Sequence, residues 1–95
     1  MLKEKNILVT GGLGGIGFDI CRHFIRKNFN LIIIDNVPNK IFYKKLTDHS
    51  IINKKNNIFY KKIDLTKVLK IKKLFQLLKK NYSSIDILIN CAGIQ

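Results

Sequence analysis

Short apolar runs alternate with longer amphipathic segments along this chain. Four runs rich in apolar and β-branched residues predict strands covered on both faces of a sheet: residues 6–10, 30–35, 57–64 and 85–89. Between them, apolar residues recur at helical spacing over residues 15–27, 41–48 and 67–80. This regular alternation predicts an α/β fold with a parallel sheet and right-handed crossover connections.

In a doubly wound sheet of the Rossmann type, these four strands are expected to lie in the order 3-2-1-4. Right-handed crossovers then place the first two helices on one face and the third helix on the other. Thr66 is expected to cap the third helix. The apolar stripes expected to face the sheet are Ile16, Ile20, Cys21, Phe24 and Ile25 on the first helix, and Val68, Ile71, Leu74, Phe75 and Leu78 on the third.

Composition limits the class of protein. With 95 residues, of which 46% are hydrophobic, the chain is expected to form at most one globular domain. The net charge of +12 suggests an anionic partner, but lysine supplies nearly all of it and the lysines are spread from Lys3 to Lys80. Arginine-based readout of bases is scarcely available, so no nucleic-acid partner is expected.

No membrane partner is expected either, because no apolar run approaches the length of a membrane span and no signal-peptide pattern precedes the first strand. A cytoplasmic location is therefore predicted. Cys21 and Cys91 stand at no metal-ligand spacing and are expected to be buried, reduced thiols. His23 and His49 lack matching ligands nearby, so no metal site is predicted.

The strongest local signal is a glycine-rich segment from Thr10 to Gly17, between the first strand and the first helix. Bare backbone at this position can approach a pyrophosphate at the positive end of the helix. Gly11 and Gly15 are expected to allow the tight turn, and Gly17 to let the helix pack close to the sheet. The predicted cofactor contacts here are Gly11, Leu13, Gly14, Gly15, Ile16 and Gly17. A merely flexible turn is the alternative interpretation.

Asp35 ends the second strand, about 20 residues after the glycines, where a carboxylate can accept hydrogen bonds from both hydroxyls of an adenosine ribose. An additional phosphate on that ribose would meet the negative charge, so Asp35 favours NAD over NADP as the cofactor. Alternatively, Asp35 only forms the turn before Asn36 and Pro38.

Together these residues resemble the short-chain dehydrogenase/reductase family, whose Thr-Gly-x-x-x-Gly-x-Gly pattern is matched from Thr10 to Gly17. The same residues also fit the pattern of the extended, epimerase-like branch of the family. Two later motifs favour the classical branch. Asp64-Leu65 resembles the pair whose carboxylate hydrogen-bonds the adenine amino group, and Asn90-Cys91-Ala92-Gly93 resembles the Asn-Asn-Ala-Gly motif that lines the cofactor pocket and steadies the sheet. The resemblance thus adds Asp64, Leu65, Asn90, Ala92 and Gly93 to the expected cofactor site, while Cys91 departs from the family pattern.

Within that branch the chain looks most like insect-type alcohol dehydrogenases and hydroxyprostaglandin dehydrogenases. Such enzymes move a hydride between NAD and an alcohol or carbonyl, using a Tyr, a Lys four residues later, a Ser and an Asn. No tyrosine here has a lysine four residues later, because Tyr43, Tyr60 and Tyr82 are followed at that spacing by Thr47, Asp64 and Asp86. No catalytic residue is therefore predicted within the chain.

The resemblance implies that residues 1–95 are the truncated N-terminal half of an NAD-binding Rossmann domain. The full-length parent would then be a homo-oligomeric alcohol dehydrogenase or reductase acting on a small alcohol or carbonyl substrate. The alternative is a catalytically silent nucleotide-binding or interaction module.

Overall fold

The computed structural model describes residues 5–25, 27, 29–49, 58–82 and 84–91. Strands and helices alternate through these residues, as the hydrophobic pattern predicts. The strands are β1 (Asn6–Thr10), β2 (Asn30–Asp35), β3 (Ile58–Lys62) and β4 (Ile87–Asn90), and the helices are α1 (Gly15–Ile25), α2 (Asn39–Asp48) and α3 (Val68–Asn81).

All four strands are parallel and lie in the order β3-β2-β1-β4, which confirms the predicted sheet. Thr10 at the end of β1 pairs with Ile34 on one side and with Asn90 on the other. This register brings the carboxyl ends of the strands to one edge of the sheet. The loops that follow β1, β2 and β3 therefore converge there, at the place where parallel α/β sheets bind ligands.

The two faces of the sheet have separate cores, because successive residues of a strand point to opposite faces. One core joins strand residues to α1 and α2 through Ile7, Val9, Leu13, Phe18, Cys21, Leu31, Ile33, Phe42 and Leu46. The other joins them to α3 through Leu8, Ile32, Ile34, Ile63, Leu74 and Leu78. The prediction that α1 and α2 cover one face and α3 covers the other is confirmed.

The predicted apolar stripes are only partly buried. On α3, Leu74 and Leu78 are buried, but Val68 and Phe75 have relative exposures of 64% and 52%. Phe75 instead lines an open, largely apolar groove of about 570 Å³ beside β4, together with Leu88, which is 64% exposed. On α1, Ile16 lies in the first helical turn and is 59% exposed.

The prediction that Thr66 caps α3 is wrong. Lys67 is the N-cap of α3, and its side chain makes no capping hydrogen bond. The hydroxyl of Thr66 donates instead to Asp64, so it stabilises the turn between β3 and α3. The other element ends lie within a few residues of their predicted positions.

A buried asparagine ties the strands together at the opposite edge of the sheet. Asn6 is 4% exposed, and its side-chain amide donates to the Ser84 carbonyl at 2.7 Å. Its side-chain oxygen accepts a 2.9 Å hydrogen bond from Asn30, and its backbone N–H donates to Asp86. These contacts align the starts of β1 and β2 with the segment that leads into β4. Over the described part of the chain, no helix is long and apolar enough to cross a membrane.

Candidate functional site

The glycine-rich segment turns the chain sharply from β1 into α1. Gly11 has a φ of 71°, in the left-handed region that favours glycine, and its N–H donates to the Ile34 carbonyl at 2.7 Å. The first helical hydrogen bond runs from the Phe18 N–H to the Gly14 carbonyl at 2.8 Å. The N–H groups at the start of α1 precede that bond, so the helix itself leaves them available to a ligand.

The structure assigns different roles to the glycines of this turn. A Cβ at Gly17 would collide with the carbonyl oxygen of Gly11, so the predicted close approach is present, and its partner is the backbone of the turn. Among the described residues, a Cβ at Gly15 would meet nothing within 4 Å, and Gly15 has no positive φ. The prediction that the tight turn depends on Gly15 is therefore wrong. Gly12 fits the general Gly-x-Gly-x-x-Gly pattern but is not among the predicted cofactor contacts, and it has a packing role, because a Cβ there would lie 2.5 Å from the Ile33 side chain.

Asp35 lies on the same rim as the glycine-rich turn. Its Oδ2 accepts a hydrogen bond from the Leu13 N–H at 3.0 Å, and its Oδ1 accepts one from the Asn36 N–H at 2.6 Å. The second bond is the turn-forming contact of the alternative interpretation, while the first joins the carboxylate to the turn that follows β1. The turn-forming role of Asp35 is therefore present, and its placement beside the glycine-rich turn is compatible with the predicted ribose contact. Two backbone N–H groups fix the carboxylate and leave lone pairs on each oxygen for a ligand.

An open cleft of about 460 Å³ lies between these loops at the carboxyl edge of the sheet. Its lining comes from the ends of all four strands: Gly11, Leu13, Gly14, Asp35, Asn36, Val37, Ile63, Asp64, Leu65, Thr66 and Cys91. The cleft thus brings together six of the predicted site residues, namely Gly11, Leu13, Gly14, Asp35, Asp64 and Leu65. Apolar side chains lie between the carboxylates of Asp35 and Asp64, and the lining includes Gly14, which immediately precedes α1.

The remaining predicted residues lie elsewhere. Gly15 and Ile16 are exposed in the first turn of α1, outside the lining of the cleft, and Gly17 is buried beneath the glycine-rich turn. Asn90 lines the apolar groove on the α3 face and accepts a 2.6 Å hydrogen bond from the Thr10 hydroxyl, so it links β4 to β1. Ala92 and Gly93 are outside the described residues.

Asp64 is held in a compact turn at the far side of the cleft. Its Oδ1 accepts hydrogen bonds from the Thr66 hydroxyl at 2.7 Å and from the Thr66 N–H at 2.9 Å. These two bonds, the hydroxyl first, lower the pKa of Asp64 below its ordinary value, and the nearby ammonium of Lys67 lowers it further. Asp64 is therefore ionised at neutral pH and presents a hydrogen-bond acceptor at the cleft.

The loop after Asp35 is fixed from β3, a feature that the sequence pattern did not reveal. The Tyr60 hydroxyl donates to the Val37 carbonyl at 2.6 Å, and the Tyr60 ring stacks on Phe42 of α2 with the centroids 4.4 Å apart. Burial, with a smaller effect from Asp35, raises the pKa of Tyr60 to about 12. The phenol stays protonated, so it keeps donating to the loop that forms one wall of the cleft.

Both cysteines are free and buried, as predicted. Burial, followed by the nearby Cys91 and Asp35, raises the pKa of Cys21 to about 12, which makes this thiol unreactive at neutral pH. His23 and His49 are exposed, and the described residues contain no cluster of side chains that could hold a metal ion.

The chain is similar to short-chain dehydrogenases along almost its whole length. The family model for short chain dehydrogenase matches residues 5–95. An uncharacterized oxidoreductase of Bacillus subtilis (strain 168), YxjF, is 32% identical to the chain in an alignment that covers 99% of the chain and 35% of that protein.

Solved structures share the fold. A short-chain dehydrogenase from Leptospira borgpetersenii with bound NAD+ is 30% identical, with a TM-score of 0.76 over 98% of this chain and 33% of that one. ElxO with NADP bound is 27% identical, with a TM-score of 0.78 over 98% of this chain and 36% of that one. The chain therefore spans about a third of the length of these proteins. The family model covers nearly every residue, and the strand order β3-β2-β1-β4 is that of a Rossmann-type sheet. The chain therefore belongs to the short-chain dehydrogenase family.

Proposed function

We propose that this chain binds NAD and forms the first, cofactor-binding part of an NAD-dependent oxidoreductase. One observation carries the proposal: the Asp35 carboxylate is hydrogen-bonded to the Leu13 N–H, so a glycine-rich helix start and a ribose-binding carboxylate share one cleft. A dinucleotide needs both groups on the same rim of the sheet. The side-chain-free backbone at Gly11 and Gly14 leaves room for its pyrophosphate.

The lining of the cleft fits the parts of the cofactor in order. The pyrophosphate would lie against the N-terminus of α1, and the adenosine ribose would donate its hydroxyls to Asp35. The adenine would lie between the apolar side chains of Val37 and Leu65, with Asp64 as an acceptor for its amino group. When bound, NAD supplies the hydride acceptor or donor. The residues of this chain bind and orient it.

The charge of Asp35 supports NAD rather than NADP. A phosphate on the ribose would lie close to this carboxylate, and two unit charges of the same sign about 4 Å apart repel by about 4 kcal/mol near a protein surface. The two bound cofactors named above, NAD+ and NADP, belong to different relatives, so family membership leaves this choice open. The residue at the end of β2 provides the physical reason for it.

We further propose that the parent protein is an alcohol dehydrogenase or reductase, similar to the insect-type and hydroxyprostaglandin enzymes, and acts on a small alcohol or carbonyl. The exposed groove beside Phe75 and Leu88 supports a parent in which further sequence covers this face and supplies the catalytic residues. The free thiols of Cys21 and Cys91 support a cytoplasmic, reducing location. A homo-oligomeric parent rests on the family resemblance alone.

Titration with NADH and NADPH, followed by cofactor fluorescence, tests the cofactor assignment. The chain should bind NADH at least about tenfold more tightly than NADPH, given the repulsion at Asp35. Asp35→Asn keeps an oxygen that can accept the Leu13 N–H but removes the charge, so the ratio should fall toward one. Asp19→Asn is the matched control, because Asp19 is exposed on α1 and its contact is with Arg22.

Equal binding of NADH and NADPH by the unaltered chain would contradict the assignment of NAD. Binding of neither would contradict the nucleotide-binding function itself. An unchanged ratio in Asp35→Asn would show that the carboxylate does not decide between the two cofactors.

A further inference from the structure

A lysine from α2 reaches the glycine-rich turn. The Lys45 ammonium donates a 2.6 Å hydrogen bond to the Leu13 carbonyl and lies 4.6 Å from the centroid of the Phe18 ring. Leu13 belongs to the turn, and Phe18 belongs to the first turns of α1. Lys45 therefore connects α2 with both parts of the segment that leads from β1 into the first helix.

The peptide groups of Leu13 are fixed from two sides. Its N–H donates to the Asp35 carboxylate at 3.0 Å, and its carbonyl accepts from Lys45. Leu13 is 7% exposed and both hydrogen bonds are partly buried, and hydrogen bonds to charged groups are stronger than those between neutral groups. An anion on one side and a cation on the other hold one residue of the turn in a single orientation.

This orientation matters for the groups that follow. Gly14 lines the cleft, and its carbonyl accepts the first helical hydrogen bond of α1. Rotation of the Leu13–Gly14 peptide would change the direction of the Leu13 carbonyl and of the Gly14 N–H, and so would shift the backbone that leads into the start of α1. A turn of glycines has little stiffness of its own, because glycine has no Cβ to restrict its backbone. The outside contact from Lys45 supplies the restriction.

We infer that Lys45 is a positioning residue that holds the pyrophosphate-binding turn ready for the dinucleotide. The inference rests on the proposed function. Lys45 acts through the Leu13 carbonyl, on the phosphate end of the cofactor. Asp35 also accepts a hydrogen bond from the Asn36 N–H, which Lys45 does not contact, so the ribose end of the site keeps a contact that is independent of Lys45.

The test compares ligands that do and do not contain the pyrophosphate. Lys45→Met keeps the length of the side chain and removes its charge and donor. It should weaken binding of NADH and of ADP by roughly tenfold, the equivalent of one charge-assisted hydrogen bond, and leave binding of adenosine unchanged. NADH is followed by fluorescence, and ADP and adenosine are followed by NMR. Lys45→Arg, which keeps a charged donor, should restore most of the affinity.

Lys44→Met is the matched control, because the neighbouring Lys44 is exposed and pairs with Asp48 on α2. It should leave all three affinities unchanged. Amide hydrogen exchange without ligand gives a second, independent measurement: Lys45→Met should speed exchange at Leu13 and Gly14 and leave the centre of β1 unaffected. If Lys45→Met does not fold, as judged by circular dichroism, Lys45→Leu, which also lacks a charge and a donor, takes its place with the same expectations.

Equal loss of NADH, ADP and adenosine binding in Lys45→Met would indicate a general structural role and overturn the inference. Unchanged binding of all three would also overturn it, while leaving the proposed function intact. Failure of the unaltered chain to bind NADH and ADP would overturn both together, so the two failures are distinguishable.

Discussion

Replacing Gly17 with alanine tests how α1 packs against the turn that precedes it. A Cβ at this position would collide with the Gly11 carbonyl oxygen and would lie 3.1 Å from the Gly11 carbonyl carbon and 3.2 Å from the Gly12 Cα. All three are backbone atoms, so no rotation of a side chain relieves the contact. The first turn of α1 must move away from the glycine-rich turn instead.

The expected loss of stability follows from two opposing effects. Overpacking of this kind costs about 1–3 kcal/mol, and rigid backbone partners place Gly17→Ala near the upper value. This loss is partly offset, because alanine is about 1 kcal/mol more favourable than glycine inside a helix. The net loss is then about 2 kcal/mol, which corresponds to a fall in melting temperature of roughly 10 °C for a domain of this size.

Urea denaturation followed by circular dichroism measures the change. Gly15→Ala is the matched control, because it lies two residues away in the same motif and a Cβ there meets nothing within 4 Å. It should be neutral or stabilising by up to about 1 kcal/mol. The reasoning is refuted if Gly17→Ala is as stable as Gly15→Ala, since the contact with Gly11 would then cost nothing.

Two further substitutions test the hydrogen bonds of buried or ionised groups. In Thr66→Val the pKa of Asp64 should rise toward its ordinary value of 3.8, whereas Thr66→Ser should preserve the lowered pKa. Carboxyl NMR titration measures the pKa in both variants, and equal values would contradict the role of the Thr66 hydroxyl. The lowered pKa of Asp64 stabilises the folded state above pH 3.8, and this contribution is lost as the pH falls through the pKa of folded Asp64. The stability of Thr66→Val should therefore fall less in acid than that of the unaltered chain. Asn6→Ala removes a buried side chain from two hydrogen-bond partners, so it should destabilise the chain by about 2–4 kcal/mol in urea denaturation. The exposed Asn39→Ala should cost far less, and equal losses would mean that the Asn6 contacts contribute nothing.

The sequence by itself determined the order of the elements. Apolar runs of β-branched residues separated by helical periodicity are enough to predict parallel strands, and the handedness of crossovers then decides which helix covers which face. The placement of Gly11 and Asp35 on one rim also follows, because both stand at the carboxyl ends of adjacent parallel strands. These are consequences of local pattern and chain topology, which a sequence contains.

Only the tertiary structure decided what each side chain touches. Val68 and Phe75 fit the apolar stripe of α3, yet they are exposed because the helix packs over the sheet through Leu74 and Leu78. Thr66 has the chemistry of a helix cap, but its hydroxyl donates to Asp64 in the turn before the helix.

The same limit explains the residues that the pattern missed or misassigned in the glycine-rich turn. A side chain on the neighbouring strand leaves no room for a Cβ at Gly12, whereas a Cβ at Gly15 would contact none of the described residues. Lys45 reaches Leu13 from a helix 32 positions along the chain. Hydrophobic periodicity reports which face of an element is buried on average. Contacts between elements depend on their distances and angles, which exist only after the chain has folded.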